Sequence, residues 1–202
     1  MIISISYKNY SSRQISIQIY TVCRKYQPHP RGLYMYLYHQ VPRQFFGWDI
    51  VPLNQIKRFD HGLYTQYLQK YKGREHVLKT IIPLLQCGWS DVLFLTAVSP
   101  DEWKRVFHTI DHAIDTLSFY QIPLGKINIH SAVVMEYNES NHERFSWFYP
   151  RNLKKIGKIP EKTCAYYKEA HDKGEPVFLH HLVPQILYRG TLNISGCPII
   201  TV

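Results

Sequence analysis

The chain has 202 residues, of which 45% are hydrophobic and 19% are charged. This length suits one ordinary domain, and this composition excludes a disordered or collagen-like protein. Lys and Arg outnumber Asp and Glu by 24 to 15, which gives a net charge of +9 at neutral pH. Such a balance favours an anionic partner, such as a nucleic acid or a nucleotide, although a basic surface that only maintains solubility has the same signature.

The sequence shows no sign of a membrane or secretory protein. No apolar run approaches the ~20 residues that a membrane-spanning helix needs. The N-terminal residues lack the positive region and the long apolar region of a signal peptide. The cysteines lack the CxxC spacing of zinc ribbons and are expected to be reduced thiols; they are Cys23, Cys87, Cys164 and Cys197. We therefore expect a cytoplasmic protein without membrane contact.

The first part of the chain predicts strands and one helix. Residues 2–7 and 15–20 alternate apolar and polar side chains around a polar turn, which indicates a hairpin. The breaker-rich segment 27–32 follows, so residues 1–30 are predicted to be an appended hairpin and residues 33–202 a single domain. Within that domain we predict strands at 33–41 and 91–98, and a helix at 63–71 that ends at Gly73.

The second part contains the strongest helix signal. Ser99, Pro100 and Glu102 form a capping-box start, and apolar residues follow at helical spacing, so a helix is predicted over 99–120. A strand at 126–135 and a helix at 161–172, closed by Gly174, come next. Strands are predicted at 177–181 and 198–202. Helices and strands do not alternate regularly, which favours an α+β fold with mixed or antiparallel sheets and a few packed helices.

Several kinds of catalytic site are excluded by the motifs. The chain has no glycine-rich phosphate loop and no GxSxG turn, which argues against Rossmann, P-loop and α/β-hydrolase chemistry. His108 and His112 are four residues apart, but no Glu follows in the zincin pattern, so a solvated helix face is the better interpretation. His180 and His181 are adjacent in a predicted strand and would point to opposite faces. No metal site is predicted.

A set of short motifs is distributed over residues 33–202. In chain order they are Leu37-Tyr38-His39, Ile50-Val51-Pro52, Arg74, the segment 90–95, Ser99-Pro100, and the segment 175–184 that begins with Glu175. This order resembles the ADP-ribosyltransferase-like superfamily, in particular the toxins that attach ADP-ribose to thymine and the RNA 2′-phosphotransferases. Two positions depart from the family pattern: Gln40-Val41 replaces the usual Gly-Thr or Ile-Thr, and Pro176 follows Glu175 and removes a strand N–H.

The resemblance implies an ADP-ribosyltransferase-like fold and a toxin that uses NAD as its substrate and a nucleic acid as its acceptor. It implies that His39 and Tyr38 bind NAD, and that Arg74 pairs with the pyrophosphate or assists at the acceptor. Glu175 would be the catalytic carboxylate, because cleavage of the nicotinamide–ribose bond develops a cation. Each residue also has an ordinary structural interpretation. Glu175 suits a surface carboxylate and Arg74 a charge at a helix end, whereas Tyr38 suits strand packing and His39 a buried structural histidine.

Two other functions remain open from the residues alone. Aromatic and basic side chains alternate over 144–158, which suits base stacking and phosphate contact in a non-catalytic nucleic-acid-binding module. The 16 tyrosines also suit a protein-interaction surface, as in an effector-type protein. The acceptor and the oligomeric state stay open.

Overall fold

The computed structural model of the chain describes residues 35–42, 47–110 and 116–202. The predicted N-terminal hairpin and His112 lie outside these ranges. The fold is α+β, with small antiparallel sheets and a few helices, as the sequence predicts.

Eleven strands are described, in two larger sheets and two short pairs. They are β1 Tyr36–Gln40, β2 Asp49–Ile50, β3 Ile81–Ile82, β4 Cys87–Gly88, β5 Leu93–Leu95, β6 Ser118–Pro123, β7 Ala132–Tyr137, β8 Glu143–Trp147, β9 Gln185–Tyr188, β10 Leu192–Asn193 and β11 Ile199–Thr201. One sheet has the order β1-β6-β11 and the other the order β5-β9-β7-β8, and every pairing is antiparallel.

The described helices are short. The α-helices are α1 Leu53–Phe59, α2 His61–Leu68, α3 Pro100–Thr109, α4 Leu153–Ile156 and α5 Glu161–Asp172. Single 3₁₀ turns lie at Gln69–Tyr71, Glu75–Lys79, Trp89–Asp91, Leu124–Lys126, Ile129–Ser131 and Pro150–Asn152. In the described ranges, no helix has the length and apolar character that crossing a bilayer requires.

The core has two parts because successive strand residues point to opposite faces. Leu37 of β1 and Ile122 of β6 pack towards the four-stranded sheet, in a cluster that includes Leu95. The neighbouring Tyr38 and Phe119 face the other way and pack against α3 and α5. The three-stranded sheet is therefore covered on both faces, by the second sheet and by the two longest helices.

The predicted helix over 99–120 is confirmed at its start and wrong at its end. The Ser99 hydroxyl accepts the Glu102 N–H at 3.3 Å, as a helix cap should. However, α3 ends at Thr109, and the chain is already a strand at Ser118. The apolar residues near 117–120 continue the helical spacing, but Phe119 and Tyr120 are instead buried in β6, between β1 and β11.

Other predicted elements were confirmed, most of them with changed bounds. The helix at 161–172 is α5, and Gly174 beyond it has the positive φ of +67° that favours glycine. The strands predicted at 33–41, 91–98 and 198–202 shrink to β1, β5 and β11. The strand predicted at 126–135 begins only at Ala132, because two 3₁₀ turns take up the preceding residues. The helix at 63–71 is α2 followed by a 3₁₀ turn.

The strand predicted at 177–181 is wrong. This segment is irregular chain and turn, and its backbone groups bond to side chains of α5 instead of to a neighbouring strand. The Thr163 hydroxyl donates to the His181 carbonyl at 2.9 Å, and the Tyr167 hydroxyl donates to the Leu179 carbonyl. The segment is therefore a loop fixed by α5, and we call residues 177–183 the histidine loop.

Candidate functional site

The two larger sheets meet where β1 approaches β5, and we call the region around His39, His180 and Lys70 beyond this junction the cleft. A single antiparallel bridge joins them, in which the Tyr38 N–H donates to the Thr96 carbonyl at 2.8 Å and the Thr96 N–H donates back at 2.9 Å. The next residue of β1, His39, still reaches β5 with its side chain, but in the described residues no ladder bond joins the two strands there. His39 therefore lies at the fork between the sheets.

His39 is held as one tautomer. Its Nδ1 is 2.9 Å from the Phe94 carbonyl oxygen, which can only accept, so Nδ1 carries the proton and Nε2 is the acceptor of the neutral ring. Burial lowers the pKa of His39, and the positive charge of Lys70 lowers it further, against the Phe94 bond that raises it. The imidazole is thus a neutral hydrogen-bond acceptor at physiological pH.

A second imidazole, that of His180, stands beside the first. Burial, with a smaller effect from His39, lowers the pKa of His180 to about 4. Its ring meets Trp103 of α3 edge-on, with the ring centroids 5.6 Å apart. Nδ1 of His180 and Nε1 of Trp103 are buried and have no hydrogen-bond partner in the described part of the chain. Two neutral histidines therefore adjoin the fork, and Nδ1 of His180 has no hydrogen-bond partner among the described residues.

Cations reach the cleft from the helical segment that spans α1, α2 and the two 3₁₀ turns after them, residues 53–79, which we call the helical arm. The Lys70 ammonium lies 5.6 Å from the centre of the Tyr67 ring and 5.3 Å from that of Tyr71. The Tyr71 hydroxyl accepts a hydrogen bond from the indole of Trp89. Trp89 in turn packs on Phe94, with centroids 4.9 Å apart. Successive aromatic contacts thus connect Lys70 to Phe94 of β5, whose carbonyl accepts the hydrogen bond of His39.

Arg74 reaches the histidine loop. Its guanidinium carbon lies 5.9 Å from the centre of the Phe178 ring, which is 60% exposed. One guanidinium nitrogen, Nη2, donates to the Lys70 carbonyl at 3.0 Å, which fixes the side chain along the arm. The Phe178 N–H donates to the Tyr166 hydroxyl of α5 at 3.2 Å. An exposed aromatic face and a cation therefore stand together at the cleft mouth.

The four predicted site residues fall in different places. The charge of Lys70 acts on the His39 ring, and the backbone carbonyl of Lys70 accepts a hydrogen bond from Arg74. Tyr38 is 9% exposed, and its ring belongs to the core packed against α3. Glu175 is exposed just beyond α5, where its N–H donates to the Ala170 carbonyl at 2.8 Å and its charge acts on Lys173. Glu175 precedes Phe178 by three residues.

Sequence reasoning missed Lys70, Phe178 and the role of His180. The spacing of Lys70 and Arg74, four residues apart beside Tyr67 and Tyr71, places cations and rings on one stretch of helix, and this signal was available. The position of His180 was hidden because the segment around it is predicted as a strand. Its approach to the fork depends on α5, which the local sequence does not reveal.

A separate groove of about 700 Å³ lies at the opposite end of β1 from His39. Met35, Glu102, Arg105, Lys154 and Lys158 are among its lining residues. Glu102 is paired with Arg105 at 2.8 Å, and none of the predicted site residues lines this groove. His39 and His180 are also not among its lining residues.

Two further observations concern identity. In the ranges that the structure describes, no group of three or more His, Cys, Asp or Glu residues is placed to hold a metal ion. The chain matches no protein-family model, and no curated protein or solved structure is significantly similar to it.

Proposed function

We propose that the chain is an NAD-consuming enzyme of the ADP-ribosyltransferase type, with NAD bound at the fork between the two sheets. The observation that carries the proposal is the oriented imidazole of His39, on which the charge of Lys70 acts, with the Arg74 guanidinium bonded to the Lys70 carbonyl on the same arm. We also propose that the split pair of antiparallel sheets is an ADP-ribosyltransferase-like fold.

The chemical groups of the cleft complement those of a dinucleotide. Lys70 and Arg74 supply positive charge for a diphosphate. A guanidinium can also donate two parallel hydrogen bonds to phosphate oxygens. Phe178 offers an exposed ring on which a base can stack. Nε2 of His39 can accept a hydrogen bond from a ribose hydroxyl. In the proposal these side chains are the partners of the phosphates, the base and the sugar.

The reaction breaks the bond between the nicotinamide nitrogen and C1′ of the ribose. The electron pair leaves with nicotinamide, and C1′ becomes cationic before the acceptor attacks it and gives up a proton. In our proposal Glu175 stabilises the cationic sugar, and Arg74 holds the diphosphate. Glu175 precedes by three residues the Phe178 ring that Arg74 contacts.

The test begins with binding. NAD that binds only the folded protein must raise the melting temperature. We expect millimolar NAD to raise it for the wild type and for the control His130→Gln, which changes an exposed histidine. We expect the shift to be lost in His39→Gln and reduced in Arg74→Gln, with the exposed Arg58→Gln as its control. A wild type that does not respond to NAD would contradict the proposal.

A second assay separates binding from chemistry. Glu175→Gln should keep the NAD-dependent rise in melting temperature but lose nicotinamide release by roughly 100-fold, because a charge-stabilising group in the transition state is worth about that much. The control is Glu161→Gln, at the other end of α5. An unchanged rate in Glu175→Gln would remove this residue from the proposed reaction.

A specific surface favours nucleic acid as the acceptor or as a separate ligand. β8 lies at the edge of its sheet, and Trp147 and Tyr149 are 41% and 47% exposed. The Arg151 guanidinium lies 5.0 Å from the centre of the Tyr149 ring. Lys154 and Lys158 follow on exposed or partly exposed positions around α4. Exposed rings among cations are what single-stranded nucleic acids use for stacking and phosphate contact.

This surface predicts salt-dependent binding of single-stranded oligonucleotides. Trp147→Ala should weaken binding by about 1–3 kcal/mol, as loss of a stacking ring does. Lys154→Ala should flatten the dependence of affinity on salt by about one counterion. Phe59→Ala, which removes an exposed ring from the helical arm, should leave binding unchanged. Binding that Trp147→Ala does not weaken would exclude this surface.

A further inference from the structure

One side of strand β8 is unpaired in the described part of the chain. β8 is the last strand of the four-stranded sheet, and β7 pairs with only one of its two sides. Four of its five residues are exposed, and no other described strand pairs with it. An exposed strand edge is a template on which another extended chain can pair. The free side of β8 is therefore a candidate interaction surface.

Hydrogen bonds at both ends of β8 show which of its residues face the free side. The Phe148 N–H donates to the Ala132 carbonyl at 3.2 Å, and the Asn138 N–H donates to the His142 carbonyl at 3.0 Å. Since hydrogen-bonded pairs alternate along an antiparallel ladder, the even-numbered residues of β8 bond to β7. The odd-numbered residues direct their N–H and C=O groups away from β7, and among the described residues these groups have no partner. They belong to Glu143, Phe145 and Trp147.

The side chains of this edge are partly apolar and balanced in charge. The odd-numbered side chains share one face of the sheet. Phe145 packs partly on the buried cluster that contains its cross-strand neighbour Met135, and Trp147 is 41% exposed. The strand carries one acid, Glu143, and one base, Arg144, whereas the whole chain carries a net charge of +9. A neutral edge on a basic protein suits contact with a second copy better than contact with an anionic partner.

β8 is self-complementary when two copies lie antiparallel about a two-fold axis at Phe145. Phe145 then faces Phe145 of the second copy, and Glu143 faces Trp147, so every outward-facing residue joins a pair that exchanges two backbone hydrogen bonds. Arg144 faces Ser146, whose hydroxyl can accept a hydrogen bond from the guanidinium. A shift by two residues in either direction loses one of the pairs. One of these shifts also places Arg144 opposite itself, which is unfavourable.

We propose that β8 forms the interface of a homodimer, in which the free edges of two copies pair antiparallel about Phe145 and join their four-stranded sheets into one continuous sheet. The occupant of the edge is a second copy of this chain. Both copies use the same residues, as in other two-fold dimers. The pairing does not depend on the proposed NAD chemistry, and it would bring the Trp147 surfaces of the two copies side by side.

Sedimentation equilibrium of the full chain measures the association. We expect the mass to rise with concentration from 24.0 kDa towards twice that value. Salt should strengthen the dimer, because it screens the repulsion between two basic copies, whereas it weakens oligonucleotide binding. Ser146→Glu should tighten the dimer about 5-fold, since it places a carboxylate opposite each Arg144, and Ser146→Arg should weaken it about 5-fold. Ser140→Glu and Ser140→Arg, in the exposed turn before β8, are the matched controls and should have little effect.

Amide hydrogen exchange followed by NMR tests the register. The amides of Glu143, Phe145 and Trp147 should be protected in the dimer and should exchange rapidly after dilution, whereas those of Arg144 and Ser146 should stay protected by β7 at both concentrations.

Three results would overturn the proposal. The first is a monomer mass that persists at millimolar protein. The second is a dimer in which the odd-numbered amides stay unprotected or in which neither Ser146 variant changes the affinity. The third is protection of the odd-numbered amides in the monomer, which would show that the edge is covered within one chain. If Ser146→Arg does not fold, Ser146→Glu and the exchange pattern of the wild type still decide.

Discussion

The helical arm and the helix pair α3–α5 differ in how they are attached to the rest of the protein. No side chain from residue 53 to residue 81 is buried, although this stretch contains two α-helices. In contrast, Trp103 of α3 and Tyr167 of α5 are fully buried, and both rings stack with Phe107. The cations of the cleft lie on the weakly buried arm, and His180 is held by the tightly packed pair.

The binding side chains of the helical arm can therefore move more easily than the α3–α5 pair, which forms a rigid frame. Elements with few buried apolar contacts open locally at low free-energy cost. Hydrogen bonds hold the arm, among them the one from the Asn54 amide to the Asp91 carboxylate at 2.7 Å and the one from the Thr191 hydroxyl to the Gln55 amide oxygen at 3.1 Å. Changes on the arm should therefore affect ligands, whereas changes in the helix pair should affect folding.

The largest expected effect is that of Trp103→Ala. Trp103 has no exposed surface and contacts Tyr167 and His180, so its removal leaves a large cavity. We expect a loss of about 3–5 kcal/mol in the free energy of unfolding, measured by urea denaturation. A loss below about 1 kcal/mol would mean that the helix pair is not the rigid frame.

Acid should destabilise the protein through the histidine loop. The pKa of His180 is about 4 in the folded state, below its ordinary value of 6.5. The fold thus favours the neutral ring, and the stability from this preference is present above pH 6.5 and is lost as the pH falls towards 4. On the order of 2–3 kcal/mol should be lost over that range. His39 contributes in the same direction.

The measurement is the free energy of unfolding from pH 7 to pH 4.5 in the wild type and in His180→Gln. The variant should be less stable at pH 7 but should lose less stability on acidification, because the titrating ring is absent. His130→Gln is the control and should follow the wild type. Parallel curves for wild type and His180→Gln would show that this ring is not held neutral by the fold.

A smaller effect is expected where α4 approaches the end of β5. A Cβ on Gly157 would lie 2.9 Å from the Leu153 carbonyl oxygen and 3.0 Å from that of Ala97, and neither backbone atom can move freely. Gly157→Ala should therefore cost about 1–3 kcal/mol. Gly125→Ala is the matched control, since nothing lies within 4 Å of its Cβ, and its stability should change little or rise. Equal effects of the two changes would remove the steric explanation.

The sequence predicts what local signals determine. The Ser99 cap, the α5 helix with Gly174, and strands β1 and β11 follow from residues within a few positions of each other. The end of α3 does not, because Phe119 satisfies a helical spacing as well as a buried strand position, and its pairing with β1 and β11 decides. The local sequence of the histidine loop predicts a strand for the same reason, because its partners, such as Tyr167, lie on another element.

The candidate site was predictable in part. The position of His39 at a predicted strand end indicates a site residue, and the order of the motifs indicates Arg74. Their connection through Lys70 depends on how the helical arm packs on Trp89 and Phe94, which is a long-range contact. The sequence does not determine which way the Tyr38 ring points, because a strand residue next to the fork can face either the cleft or the core. In the structure its ring faces the core.

The smallest effect is expected for Phe59→Ser at the end of α1. The Phe59 ring is 68% exposed, so its removal takes little apolar surface out of the folded protein. The free energy of unfolding should change by less than about 0.5 kcal/mol in urea, as is usual for exposed positions. Trp103→Ala and Phe59→Ser each remove an aromatic ring from a helix, so their difference measures burial rather than residue type. A loss above about 1 kcal/mol for Phe59→Ser would mean that the ring is covered in solution, and the arm would then be a packed part of the frame rather than an adjustable carrier of Lys70 and Arg74.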